Sequence, residues 1–371
     1  MPSSGSFLMI SGHDFRSPRK ANVHFIAEEL AKLGKTRFFS IGFSYLSRIK
    51  KGPRVSLWGR ANRPEHYQGV DTYLWRTLLH PFNLRLPFLR CIEKFWFNDY
   101  VADAPNTLRE WIADAGTIIL ESGMSVIFYD LIKEINPTAR VIYLCSDDLD
   151  TIGCSSHLQD QLQRITAQLD GIRVPSRVLA SAFSSNAYVF FVPHGIDRSI
   201  NDLGKTSPYA GGVNLVAVGS MLFDPHFFTI AAAAFPDYTF HVIGGGAKAA
   251  LLRAPNIRVY GEMPFTETIA YIRHADVGIA PYEGKHVSNY LADTSMKLMQ
   301  FGYLGLPAVC PHAAVGDYTG RFGYTPDDAD SIVAAIRSAL ACGHFQASPA
   351  LSWAEVTQRI LAPTTFADTH L

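Results

Sequence analysis

Short apolar runs alternate with longer amphipathic stretches along this chain. Residues 7–11 form an apolar run and predict a strand, followed by a polar loop at 12–18 and a helix to about Leu33. A second strand is expected at 36–43, a long loop rich in Gly, Pro and Arg at 50–70, and a short strand at 72–76. Further strands fall at 117–122 and 140–145, with a helix near 124–135 between them. An amphipathic helix at 158–169 precedes two short strands at 171–174 and 189–192. Such alternation of β-rich and helical segments is that of an α/β protein with parallel sheets.

Residues 201–212 hold few apolar groups and read as a linker. A second series of the same kind follows. Its strands are expected at 214–218, 239–243, 257–260, 277–280 and 308–310, with helices near 225–234, 266–273, 294–301 and 330–342. The pattern therefore predicts two consecutive α/β domains, 1–203 and 204–371, with a cleft between them where ligands meet the carboxyl ends of strands. The last helix has the option of returning to the first domain. No solenoid period is present.

Composition narrows the function. Of 371 residues, 48% are hydrophobic and 18% charged, which excludes a disordered chain. Lys+Arg and Asp+Glu are both 33, so bulk charge does not point to nucleic acid. The balance is uneven, however. Residues 1–100 carry 16 basic and 7 acidic side chains (+9), and the remainder carry 17 and 26 (−9). A basic first third suits an anionic partner for that part alone. Five scattered cysteines (Cys91, Cys145, Cys154, Cys310 and Cys342) give neither a disulfide framework nor zinc-ligand spacing. The start lacks a signal-peptide pattern, and no apolar run reaches the ~18 residues of a spanning helix. A cytoplasmic chain that touches a membrane from that side is the expectation.

Five segments carry residues suited to chemistry. Ser146-Asp147-Asp148-Leu149-Asp150 directly follows an apolar strand, where a carboxylate can serve as general base or simply cap a helix. Gly219-Ser220-Met221 lies at a strand-to-helix turn, where backbone N–H groups can approach a phosphate or a sugar; an unliganded tight turn reads equally well. Gly244-Gly245-Gly246 repeats this after the next strand, but the G-x-G-x-x-G dinucleotide fingerprint is absent. Thr294-Ser295-Met296-Lys297-Leu298 opens a helix and suits a diphosphate, with Tyr282 and Glu262 at nearby strand ends; an ordinary N-cap is the alternative. Between Trp75 and Phe97, Arg76, Arg85, Arg90 and Lys94 interleave with Phe82, Phe88, Phe95 and Trp96, which reads as an interfacial segment or as a core helix with charged flanks. The loop after the first strand brings His13, Asp14, Arg16, Arg19 and Lys20, the cations being candidates for an acceptor's phosphates.

Long strings within the chain resemble the GumK family, the membrane-associated β-glucuronosyltransferases of xanthan-type exopolysaccharide assembly (glycosyltransferase family 70). They include S-G-H-D-F-R-S-P-R-K-A-N-V-H-F-I, E-S-G-M-S-V, V-A-V-G-S-M-L-F-D-P, V-Y-G-E-M, G-I-A-P-Y, Y-L-A-D-T-S-M-K-L and R-F-G-Y-T-P, and they span nearly the whole chain. The resemblance implies a GT-B fold, two Rossmann-like domains with a deep interdomain cleft. The first would bind acceptor and membrane, the second the nucleotide sugar. It implies inverting transfer of glucuronic acid from UDP-glucuronate, without a metal or other cofactor. The acceptor would be a mannose-terminated oligosaccharide on a polyprenyl diphosphate, at the cytoplasmic face of the bacterial inner membrane. Asp147 matches the family's catalytic Asp. Gly219, Ser220, Met221, Glu262, Met263, Tyr282, Ser295, Met296, Lys297 and Gln300 fall in its nucleotide-binding segments. Acceptor binding would fall to His13, Arg16, Arg19 and Lys20. The family reads S-D-G-L where this chain has Ser146-Asp147-Asp148-Leu149, so Asp148 and Asp150 are extra acids beside the base. Two other readings fit the same residues: a transferase of this fold with another UDP-sugar donor, and a non-catalytic nucleotide-sugar-binding protein.

Overall fold

In a computed structural model, residues 5–17, 20–49, 53–86, 90–283 and 288–371 are described. Arg19 and Phe88, singled out above, lie outside them.

The apolar runs become central strands because both of their faces are covered by helices. In the first unit, β1 (Gly5–Ser11) is buried from Phe7 to Ser11. It pairs in parallel with β2 (Gly34–Ser44) and β5 (Thr117–Glu121). Outward from these lie β3 (Pro64–Tyr67) and β4 (Val70–Thr77) on one side, and β6 (Arg140–Leu144), β7 (Gly171–Val174) and β8 (Val189–Phe191) on the other. The eight-stranded order is β3-β4-β2-β1-β5-β6-β7-β8, parallel except for β3. Strand order reverses between β1 and β5, so the loops after β1, β5 and β6 gather at the switch point where α/β sheets bind ligands.

The second unit has β9 (Asn214–Val218), β10 (Thr239–Ile243), β11 (Ile257–Tyr260), β12 (Val277–Ile279), β13 (Ala308–Pro311) and β14 (Arg321–Tyr324), all parallel in the order β11-β10-β9-β12-β13-β14. Along β9, Leu215 and Ala217 pack in one cluster with Phe227, Phe228, Ile332 and Ile336. Val216 faces the other, with Ile269, Ile272, Leu298 and Phe301. Phe301 comes so close to β12 that a Cβ on Gly278 would stand 2.6 Å from its ring, so only glycine fits there.

Several expectations change. The loop foreseen at 50–70 contains a 3-10 turn, Pro53–Arg60, and the antiparallel strand β3. Pro-Glu-His-Tyr carries no apolar alternation because it is an edge strand with half its side chains in solvent. β14, another short edge strand, was not foreseen. The boundary also moves: the compact units are residues 1–193 with 353–371, and 194–352. The polar stretch at 201–212 is not a free linker. Arg273 bonds the carbonyls of Ile200 and Leu203, and Tyr209 Oη donates to the Tyr271 carbonyl at 2.6 Å. Helix Trp353–Leu361 belongs to the first unit, where Trp353 stacks on Phe25 at 5.1 Å between ring centroids. Among the described residues no helix is long and apolar enough to cross a membrane.

Candidate active site

The chain leaves β6 through Cys145 and Ser146, both buried, and reaches Asp147. Asn22 Nδ2, at the start of helix Asn22–Leu33, donates to Ser146 Oγ at 2.7 Å and fixes the turn. The three acids that follow have different tasks. Asp148 Oδ2 accepts from both the amide and the hydroxyl of Thr151 at 3.0 Å, so it closes a local turn. Asp150 is exposed, with Gln159 Nε2 at 3.5 Å. Asp147 alone of the three has a carboxylate accepting no hydrogen bond among the described residues. Burial, and then the negative charge of Glu121, push its pKa up to about 6; His13 pulls the other way and Asp148 adds a smaller push. A carboxylate so placed is a better base at neutral pH than an ordinary Asp, yet still largely ionised.

Glu121 was not foreseen as a site residue, although it opens the string E-S-G-M-S-V and ends β5 beside the end of β1. It is buried, accepts a hydrogen bond from Ser11 Oγ, and stands 3.5 Å from His13 Nε2. His13 is half exposed, and its amide donates to Ser11 Oγ at 2.8 Å. Ser11, His13, Glu121 and Asp147 thus come from the ends of three strands.

Arg16 does not fit the acceptor role. Its guanidinium is buried and forks onto Asp14 (2.9 and 2.8 Å), with Nη1 on Glu65 Oε2 at 2.9 Å. The Asp14 side chain also takes a hydrogen bond from Ser40, and its carbonyl contacts His24 Nε2. A cation neutralised twice inside the protein has little left for a phosphate. Lys20 remains accessible, although it pairs with Glu28.

In the second unit the Gly-rich turns converge. Gly219 adopts φ +82, which permits the sharp exit from β9. A Cβ on Gly246 would meet Ser220 Cβ at 3.2 Å, and one on Gly244 would meet Glu262 Cγ at 3.7 Å. Thus Gly219, Ser220 and Glu262 share one edge of the sheet; Glu262 and Met221 are exposed, and Met263 is half-buried against the core. Ser295 Oγ is spent internally: it caps helix Met296–Tyr303 by accepting from the Leu298 amide at 3.3 Å, and it bonds the hydroxyl of buried Tyr282. Tyr282 is therefore a support for the helix start rather than an exposed contact. Lys297 Nζ lies 5.0 Å from the centroid of the Tyr282 ring, and Met296, Lys297 and Gln300 are part-exposed in the first turns.

The segment from 75 to 97 divides between core and surface. Trp75 and Phe97 are buried, whereas Leu78, Leu79, Phe82, Leu86, Ile92 and Phe95 are exposed, together with Arg85, Arg90 and Lys94. Helix Arg90–Ala102 buries Glu93, Phe97 and Tyr100 on one stripe, with Glu93 accepting from the Leu84 amide at 2.7 Å.

Comparisons with known proteins bear on the family and the fold. Residues 9–175 match the family model described as the N-terminal domain of the glucuronosyltransferase GumK. The chain is 47% identical over 374 aligned residues, covering all of it and 94% of the relative, to the UDP-glucuronate:glycolipid 2-beta-glucuronosyltransferase of Xanthomonas campestris pv. campestris. Among solved structures, a UDP-forming α,α-trehalose-phosphate synthase from Burkholderia xenovorans aligns with TM-score 0.63 at 11% identity, covering 97% of this chain and 96% of that one. The E. coli trehalose-6-phosphate enzyme solved with UDP-2-fluoro glucose gives 0.61 at 11%, covering 96% and 93%. At such identity these two speak for the fold alone, which is GT-B. With nearly half of its residues shared over its whole length and 94% of the relative's, the chain belongs to the GumK family of glucuronosyltransferases.

Proposed function

We propose that this chain is an inverting β-glucuronosyltransferase. It transfers glucuronic acid from UDP-glucuronate to a mannose-terminated oligosaccharide carried on a polyprenyl diphosphate, in exopolysaccharide assembly at the cytoplasmic face of the inner membrane. Asp147 is the base. It removes the proton from an acceptor hydroxyl as that oxygen attacks the anomeric carbon, while the bond from that carbon to the diphosphate breaks on the opposite face. UDP leaves as an anion, so no second acid is needed. The first-turn amides of helix Met296–Tyr303 and the Lys297 ammonium stabilise the charge that builds on it. Glu262 is placed for ribose hydroxyls, and the turn at Gly219–Met221 brings backbone close to the nucleotide. His13 and Lys20 serve the acceptor. The exposed apolar side chains of 78–95, with Arg85, Arg90 and Lys94 among them, dock the first unit on anionic lipid.

The observation that carries the reading is Asp147: a half-buried carboxylate at a strand end, hydrogen-bonded to nothing among the described residues, with a pKa raised to about 6. Asp147→Asn is expected to keep UDP affinity and to lose transfer by a factor of about 10² to 10⁴. Asp148→Asn, whose carboxylate closes the Thr151 turn and adds only a small push to Asp147, serves as the control. Wild-type turnover in the Asp147 variant would sink the assignment. Lys297→Ala is expected to weaken UDP binding about tenfold, ~1.4 kcal/mol; calorimetry that finds no change removes Lys297 from the site.

A further inference from the structure

The loop after β1 and the end of β5 meet in an arrangement that proton transfer to Asp147 leaves unused. Glu121 is buried, and its carboxylate oxygens are divided between two partners. Oε2 accepts from Ser11 Oγ, and Oε1 stands 3.5 Å from His13 Nε2. Ser11 Oγ in turn accepts from the His13 amide at 2.8 Å, and Ser125 Oγ donates to the Glu121 carbonyl, so loop and strand end are tied together. Arg54 feels the charge of Glu121, but its Nη1 and Nη2 donate to the carbonyls of Ile41 and Gly42 at 2.7 Å. Among the described residues His13 is therefore the ionisable group in contact with this carboxylate. Burying a carboxylate with so little compensation costs stability, and such costs are kept where a site uses the group.

A carboxylate only accepts, so the Nε2 that faces it carries a hydrogen and Nδ1 is left for another partner. Among the described residues nothing bonds Nδ1. The ring is half exposed and meets His24 edge-on at 5.6 Å. His24 is itself fixed: its Nδ1 accepts from the Ala21 amide and its Nε2 donates to the Asp14 carbonyl, both at 2.8 Å. His13 thus sits between a buried carboxylate and a fixed wall, with an open side. Asp147 feels the charges of Glu121 and His13 alike, which puts the ring beside the base.

We infer that Glu121 is a positioning residue: it turns the His13 ring so that Nδ1 holds a second hydroxyl of the acceptor sugar while Asp147 takes the proton of the first. This rests on Asp147 being the base. The ligand class follows, a sugar ring with a further hydroxyl within reach of the attacking one. No proton moves to or from His13 in the step. A sugar hydroxyl both gives and takes, so it binds Nδ1 whether the imidazole is neutral or protonated. One contact would let the acceptor ring turn about the attacking C–O bond; a second fixes its attack angle. An acceptor lacking that second hydroxyl leaves Nδ1 unpaired.

The full-length protein is assayed with UDP-glucuronate and lipid-linked acceptors in vesicles: the mannose-terminated acceptor, and analogues each lacking one ring hydroxyl. In wild type, loss of one hydroxyl other than the nucleophile is expected to lower kcat/KM about tenfold to hundredfold. His13→Phe keeps the bulk of the ring and removes its nitrogens. It should lower kcat/KM for the full acceptor by a similar factor and become indifferent to that hydroxyl. His13→Asn sets an amide where Nδ1 stood and should restore part of the loss. Glu121→Gln should shrink the penalty for the same hydroxyl and for no other, a selectivity that a merely structural role does not give. UDP affinity should be unchanged throughout. A folded His13→Phe with wild-type kcat/KM, or one that loses activity with every deoxy penalty intact, overturns the inference; intact penalties in Glu121→Gln overturn the positioning role. A wild-type protein that transfers no glucuronic acid to the full acceptor would overturn the proposed function instead.

Discussion

Asp147 illustrates how one residue carries two opposed demands. Its environment lifts the folded pKa to about 6, above the 3.8 of an unfolded chain, by burial first and by Glu121 second. As pH rises from about 4 through 6, the unfolded chain gives up this proton before the folded one does, so the group costs stability that is fully lost above pH 6. Asp147→Asn removes the cost and is expected to be more stable than wild type by about 1–3 kcal/mol at pH 7.5, and no different near pH 3. Denaturant unfolding at the two pH values checks it. With Asp147 as the proposed base, activity is expected to respond with the opposite sign, because a base must be ionised. The acid limb of the kcat/KM profile is expected near pH 6, and Glu121→Gln should move it lower by removing a neighbouring negative charge. A limb that stays in place would separate Glu121 from the base. From spacing alone this position was legible only as an acid after a strand, and it was the family resemblance that singled out Asp147 among the three. The physical ground for that choice lies in the fold, where Thr151 claims Asp148. Arg16 was misread for a related reason: a run of cations in a loop looks available, and nothing local reveals that Asp14 and Glu65, the latter from a distant edge strand, hold it inside.

At the scale of elements, central strands were the most legible because burial on both faces leaves continuous apolar runs. β3 and β14 escaped because edge strands lack that constraint. Helix Arg90–Ala102 shows the same logic in one element. Its Glu93-Phe97-Tyr100 stripe is buried at helical spacing, yet Ile92 and Phe95 stand in solvent on the other side. A sequence pattern with two apolar faces could not say which was core. The structure separates the roles, and substitutions should separate them again. Phe97→Ala is expected to cost about 3–5 kcal/mol of stability. Phe95→Glu, at 69% exposure, should change stability little but reduce sedimentation with anionic vesicles. If Phe95→Glu binds vesicles as wild type does, the exposed face has no part in docking. Replacing Arg85, Arg90 and Lys94 by Gln should reduce binding to anionic vesicles most at low salt, since exposed charges are screened over about 8–10 Å at physiological salt.

For the whole molecule, the 16 cations of the first hundred residues are less free than their number suggests. Arg16, Arg37, Arg60, Arg63, Lys20, Lys32 and Lys35 are paired with carboxylates inside the same unit. Chain connectivity adds a second constraint that composition did not show. The chain builds most of the first unit, passes through all of the second, and returns to finish the first with residues 353–371. The returning helix is integral: Trp353, Val356 and Ile360 are buried, and Arg140 bonds the Leu361 carbonyl. A substitution near the end of the chain should therefore weaken structure near its beginning. Trp353→Ala removes the ring stacked on Phe25 and is expected to cost about 3–5 kcal/mol. Hydrogen exchange should locate the loss in β1 and helix Asn22–Leu33, while UDP affinity, which the proposed function assigns to the other unit, is expected to stay near wild type. Exchange that instead quickens in β9 and β12 would mean that Trp353 supports the nucleotide unit and that the chain does not close the first unit in this way.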